Sequence, residues 1–256
     1  MLRPVSDLRG CSIGATDGAI GEVVDFYFDD LHWTVRYIVV DTSGWLAGRR
    51  VLVSPWAVRG VDMDNKTIAV ALTRAQVENS PGMETHEPVD RRYEMEYSRY
   101  YGYPYYWTGP YAWGMEAYPV PLSGSAALPA EPLAVAEPEG GDPHLRSTSA
   151  VTGYYIQATD GDIGHVADFL VEDRSWTIRY AVVDTRNWWP GKHVLISPDW
   201  ITRVDWQDSK VHVDLARDTI KNSPEYDASL PLDREYEMRL YESHRRPHYW
   251  DRHDAA

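Results

Sequence analysis

Residues 13–95 realign without a gap onto residues 156–238 at a constant offset of 143, with more than four positions in ten identical. Asp17-Gly18, Ile20-Gly21, Arg36-Tyr37, Val39-Val40-Asp41-Thr42, Ser54-Pro55, Asn79-Ser80-Pro81 and Tyr93-Glu94-Met95 all recur. A period this long marks a duplicated domain, not a solenoid unit. The duplication also supplies an internal control, since a residue present in one copy alone cannot belong to chemistry that both copies share.

Each repeat is long enough for one thin core, and 256 residues suit two such domains. The formal net charge of −14 argues against a broad basic face, so nucleic acid is not expected as a partner. Cys11 is the single cysteine and Tyr154 stands at its counterpart position, which leaves no disulfide framework and no thiolate metal site. This usage suits a reducing compartment, and a cytoplasmic location is expected. No apolar run is long enough for a transmembrane helix, and the first ten residues lack the hydrophobic run of a signal peptide.

Short runs rich in Val, Ile and aromatics at 23–28, 34–40, 51–53, 57–63 and 67–72 alternate with turn signals, and the second repeat reads the same way. The pattern predicts a mainly β fold, two small barrels in tandem, each followed by short helices. Residues 73–79 and 216–222 read as one or two helical turns stopped by Ser-Pro. The charged segments 90–98 and 233–243 read as solvated helices. The expected organisation is a first repeat with its helical tail over 1–98, a linker over 99–147, and a second repeat with a helical and aromatic tail over 148–256.

Within each repeat one hairpin register follows from the pattern. Pairing Phe28 with Trp33 sets Phe26 opposite Val35, Val24 opposite Tyr37 and Asp25 opposite Arg36; the second copy sets Asp168 opposite Arg179. The two Asp–Arg pairs are expected to fix register, contributing about 0–1 kcal/mol each if exposed.

The linker has two parts. Residues 97–118 are dense in tyrosine and tryptophan, whereas 122–143 are rich in Ala, Pro and Glu and read as disordered. Pro104-Tyr105-Tyr106-Trp107 aligns with Pro247-His248-Tyr249-Trp250 at the same offset, so the duplicated unit extends to this element. It either caps its own barrel, is mostly disordered, or docks a partner or a second subunit. Several of the divergent positions Leu46/Trp189, Met63/Trp206, Ala57/Trp200 and Trp56/Asp199 are expected at surfaces or contacts.

The series 20–26, 33–41 and 48–55, with its second version at 163–169, 176–184 and 191–198, resembles the PRC-barrel family. The tails 73–81 and 217–224 are similar to those of stand-alone bacterial members. The family is named for the cytoplasmic domain of the photosynthetic reaction-centre H subunit, and a ribosome-maturation factor carries a related domain. The resemblance implies a small all-β barrel used for interaction, with no shared catalytic site and with partners that differ between members. Stress responses are associated with bacterial proteins of this kind.

The residues themselves point away from catalysis. Ser54 and Ser197 lack a nucleophile turn. Asp17, Asp160, Asp41 and Asp184 read as turn and strand-end residues. The histidines are not shared: His32 aligns with Ser175, His165 with Glu22 and His193 with Arg50. No metal-ligand spacing and no cofactor motif is present. The expected role is a non-catalytic interaction or scaffold module for a protein partner or for self-association between barrels, with Trp45, Trp107, Trp188, Trp189 and Trp250 as candidate contact residues. The alternative is a peripheral component of photosynthetic or other electron-transfer machinery at a membrane surface.

Overall fold

A computed structural model describes residues 1–46, 49–82, 89–120, 144–185 and 191–251. In chain order the elements are β1 (Leu2–Pro4), α1 (Val5–Leu8), β2 (Ser12–Ala15), β3 (Gly18–Asp29), β4 (Thr34–Asp41), β5 (Arg50–Val53), β6 (Val58–Asp62), β7 (Thr67–Val70), α2 (Arg74–Glu78) and α3 (Arg91–Tyr101). The series then repeats as β8 (Leu145–Ser147), α4 (Thr148–Val151), β9 (Tyr155–Ala158), β10 (Gly161–Glu172), β11 (Ile178–Asp184), β12 (His193–Ile196), β13 (Ile201–Asp205), β14 (Lys210–Val213), α5 (Arg217–Lys221) and α6 (Arg234–Ser243). The protein is mainly β, with two seven-stranded sheets.

The chain divides into two compact units. The first comprises Met1, Arg3–Ser149 and Glu172–Thr177, and the second comprises Leu2, Ala150–Val171 and Ile178–Ala256. The described residues of the expected linker, 99–120 and 144–147, thus fall inside the first unit; residues 121–143 lie outside the described residues.

In the first unit the strand order is β5-β4-β3-β2-β7-β6, with β8 added to β3. Pairing is antiparallel except between β2 and β7. The end strands β5 and β6 are consecutive in sequence, joined only by the 3-10 turn Pro55–Ala57 and its cap Ser54. So short a connection curls the sheet toward a barrel. The second unit repeats the order as β12-β11-β10-β9-β14-β13.

The recurring motifs have local causes. Asp17 Oδ1 accepts the Arg74 N–H at 2.8 Å, and Asp160 Oδ1 accepts that of Arg217 at 2.8 Å. Each Asp-Gly turn therefore ties the following short helix to its hairpin. Ser54 and Ser197 cap the 3-10 turns through their hydroxyls. Gly21 is fixed by contact, since a Cβ there would lie 2.0 Å from the Asp41 carbonyl oxygen, and at Gly164 it would lie 2.2 Å from that of Asp184.

The observed hairpin register differs from the expected one. Phe28 lies opposite Val35, Tyr27 opposite Tyr37, Phe26 opposite Ile38 and Asp25 opposite Val39. Asp168 lies opposite Val182. Asp25 and Arg36 are therefore not cross-strand partners, and neither are Asp168 and Arg179. One extra residue on β3 (Val24) and one on β4 (Arg36), repeated at Ala167 of β10 and Arg179 of β11, displace the count, and Trp33 and Trp176 adopt positive φ in the turns (50° and 59°), so neither tryptophan starts the return strand.

β4 is buried along nearly its whole length. Ile38 and Val40 point to one side of the sheet, and Tyr37 and Val39 to the other. On the latter side Tyr37, Val39 and Leu52 form a cluster with Val89, Leu145 and Tyr97 of α3. The helix expected to be solvated instead covers the sheet. Its spacing explains why: Tyr93, Tyr97 and Tyr101 recur every fourth residue, with Glu94 and Ser98 beside them on the buried stripe. Asp90 caps its start by accepting the Tyr93 N–H, and Gly102, with φ of 72°, ends it.

Candidate functional site

Four donors converge on Glu94, which is fully buried. One carboxylate oxygen accepts the hydroxyls of Tyr106 (2.8 Å) and Tyr37 (3.3 Å). The other meets Arg91 (2.9 Å) and the His144 Nε2 (2.6 Å). The groups come from four places: Glu94 and Arg91 from α3, Tyr37 from β4, Tyr106 from the segment after α3, and His144 from just before β8. The cluster latches helix and aromatic segment onto the sheet. A buried charge is tolerable only when its hydrogen-bonding capacity is met in this way. Burial and the neighbouring carboxylate push the Tyr37 and Tyr106 hydroxyls well above the ordinary tyrosine range.

A second buried pair lies alongside. Arg36 Nε donates to Asp29 Oδ2 at 2.7 Å, and both side chains are almost wholly buried. Its guanidinium lies 3.8 Å from the Tyr106 ring centroid and 4.8 Å from that of Trp113, and it donates to the Ala112 carbonyl. Burial alone would raise the Asp29 carboxyl; the Arg36 charge and the hydrogen bonds from His32 outweigh burial and hold it at about 2. Trp113 is buried against Trp56 and donates its indole N–H to the Ser175 carbonyl at 2.7 Å. The segment 103–120 is thus a strap pinned at Tyr106 and Trp113, while Tyr111, Met115, Tyr118 and Val120 face outward.

The second unit keeps the latch. Glu237 accepts Tyr180 (2.8 Å) and Tyr249 (3.2 Å) and pairs with Arg234 (3.2 Å), each residue 143 positions after its counterpart. Arg179 lies 4.4 Å from the Tyr249 ring centroid. Tyr37, the Tyr-Glu-Met run and the Pro-x-Tyr-Trp element were all visible as recurrences. What the sequence did not disclose was that three segments so far apart in the chain meet at one carboxylate.

The candidate contact tryptophans are placed as follows. Trp45 is half-buried, donates its N–H to the Ile20 carbonyl and has the Arg74 guanidinium 4.4 Å from its ring centroid. Trp107 and Trp250 are half-buried, each with an arginine of its own latch 4.0 Å from the ring centroid, Arg91 and Arg234 respectively. Trp188 and Trp189 lie outside the described residues. Trp56 and Trp200, among the positions of which several were expected at surfaces or contacts, are buried: Trp56 packs on Tyr103 and Trp113, and Trp200 on Tyr241 and His244. A one-residue shift of the indole along the 3-10 turn is absorbed by different neighbours in each unit.

Asp25 serves another purpose than the expected pairing. Its carboxylate accepts the hydroxyls of Ser147 (2.5 Å), Thr148 (2.9 Å) and Ser149 (2.7 Å) and the Ser149 N–H (3.1 Å), seating β8 and the start of α4. Among the described residues no group of three or more His, Cys, Asp or Glu side chains is placed to hold a metal ion, and no helix is long and apolar enough to cross a membrane.

A protein of Deinococcus radiodurans described as uncharacterized is 42% identical to this chain over 78 residues, 30% of this chain and 27% of the relative. The chain therefore matches little more than a quarter of that relative's length. The family model of the PRC-barrel domain matches residues 2–77, the span that holds β1 to β7 and most of α2, and this part of the chain is a PRC-barrel domain.

Proposed function

We propose that the protein is a non-catalytic, cytoplasmic interaction module whose contact surface is the outward side of the aromatic strap. The observation that carries this reading is the contrast within one short segment. Trp113 is buried to 1% exposure, while Tyr111, Met115, Tyr118 and Val120 around it are exposed at 46%, 71%, 37% and 48%. Apolar side chains held outward on a firmly anchored segment suit docking by a protein surface, either another protein or a second copy of this chain. The residues that recur in both repeats and have acid–base character support a structural use, because Asp17, Ser54, Glu94 and their counterparts are engaged in caps and latches.

The test replaces Tyr111, Met115 and Tyr118 together by serine, which leaves the anchors untouched. Light scattering over a concentration series reads self-association, and affinity capture reads a second protein. The reading expects an association that the parent shows and the triple variant loses with its circular dichroism unchanged. An association equally strong in both proteins would refute the strap as the contact surface.

A further inference from the structure

Each latch places an indole against the phenol that donates to the buried carboxylate. The Trp107 and Tyr106 ring centroids are 4.9 Å apart at an interplanar angle of 87°, and those of Trp250 and Tyr249 are 4.9 Å apart at 82°. Both indoles are half-buried; Tyr106 behind Trp107 is buried, so an oxidant in solution reaches that indole before its phenol, whereas Tyr249 is half-buried like Trp250. We propose that Trp107–Tyr106–Glu94 and Trp250–Tyr249–Glu237 are two copies of a one-electron relay, in which the indole is the entry point, the phenol holds the radical and the carboxylate takes the phenolic proton.

A one-electron radical oxidant, of the kind that peroxide chemistry produces, removes an electron from Trp107 and leaves the indole radical cation. Tyr106 returns an electron to the indole and passes its hydroxyl proton along the 2.8 Å hydrogen bond to Glu94. The products are neutral Trp107, the neutral Tyr106 phenoxyl radical and protonated Glu94. A thiolate or other one-electron reductant returns an electron to the phenoxyl radical, and Glu94 gives the proton back.

Three features favour this direction. The Trp107 Nε1 has no hydrogen-bond partner among the described residues, so the oxidised indole has no base to hold it by deprotonation. The Arg91 guanidinium 4.0 Å from the indole centroid opposes a positive charge there, as Arg234 does at Trp250. The transfer also removes a cation and an anion together, which a poorly solvated site favours. The ion pairs of Glu94 with Arg91 and His144 act against it. Tyr105 is an internal control, because it stacks on Trp107 at 4.8 Å and its hydroxyl has no carboxylate partner among the described residues.

The full chain is oxidised with azide radical in a pulse-radiolysis experiment, and the decay of indole radical is followed with the growth of phenoxyl. The parent is expected to show first-order transfer whose rate does not depend on protein concentration. Tyr106→Phe and Tyr249→Phe each remove about half of the prompt phenoxyl, the two sites being independent, and the double variant removes the phase. Tyr105→Phe leaves it intact. Glu94→Gln with Glu237→Gln keeps an acceptor for each phenol but no base, so transfer slows while the fold persists. Prompt phenoxyl that survives the double Tyr→Phe variant, or transfer as fast in the double Glu→Gln variant as in the parent, overturns the proposal.

Discussion

Replacing Arg36 by methionine tests the buried pair on which the strap rests. Methionine keeps much of the side-chain volume, so the change removes charge and hydrogen bonds more than packing. Asp29, 3% exposed, is then left without its main counter-charge, and breaking a buried pair from one side costs about 3–5 kcal/mol. The pH dependence identifies the cause. In the parent the Asp29 carboxyl is held at about 2 against an ordinary 3.8, which corresponds to about 2.5 kcal/mol of stability at neutral pH. Because the folded value is the depressed one, that contribution is present above the ordinary value and is lost as pH falls from 3.8 toward 2. In Arg36→Met only the contacts from His32 still oppose burial, so Asp29 takes up its proton more readily than in the parent and the variant's deficit narrows on acidification. Hydrogen exchange followed by mass spectrometry on peptides covering β3 and β4 reads the local free energy in both proteins. The reasoning expects a deficit of about 3–5 kcal/mol at pH 7, shrinking by about 2.5 kcal/mol as Asp29 protonates. A deficit that stays constant from pH 7 to pH 3 would refute it and would assign the role of Arg36 to the Tyr106 and Trp113 rings. The double variant with Asp29→Leu should be more stable than Arg36→Met alone, since no charge is left buried.

Other outcomes follow from single contacts. His244 is held neutral, its pKa lowered to about 4 by burial and then by the Arg246 charge; the second unit should lose about 1–2 kcal/mol as pH falls from 6.5 through 4, after allowance for solvent screening. His244→Phe should remove that slope in an acid titration of stability. Gly21→Ala forces a methyl onto the Asp41 carbonyl and should cost about 1–3 kcal/mol by urea unfolding, whereas Gly60→Ala, where nothing lies near the added methyl, should change stability by less than about 0.5 kcal/mol. Trp113→Ala should cost about 3–5 kcal/mol and speed amide exchange across 103–120, with β10 and β11 unaffected.

The duplication, the mainly β character, the turns and the family were legible in one dimension, because they depend on neighbours in sequence. Alternating Val, Ile and aromatics give a strand wherever they occur, and Asp-Gly or Ser-Pro gives a turn from local backbone geometry. The positions of Asp17 and Ser54 could be read as structural for that reason. Helix α3 was readable as a helix, but its charged composition concealed that three tyrosines recur every fourth residue and that Glu94 shares their buried side.

The tertiary structure alone decided which partners the polar residues take. Two bulges displace the β3–β4 register, so Asp25 turns from Arg36 to the hydroxyls at the end of β8 and the start of α4, and Arg36 finds Asp29. The aromatic segment, without strand or helix periodicity, became a strap because Glu94 and Arg36 supply the acceptor and the cation that its rings and carbonyls require. Local propensity acts over a few residues, but satisfying a buried charge draws on groups from anywhere in the chain, and only the folded arrangement brings those groups together.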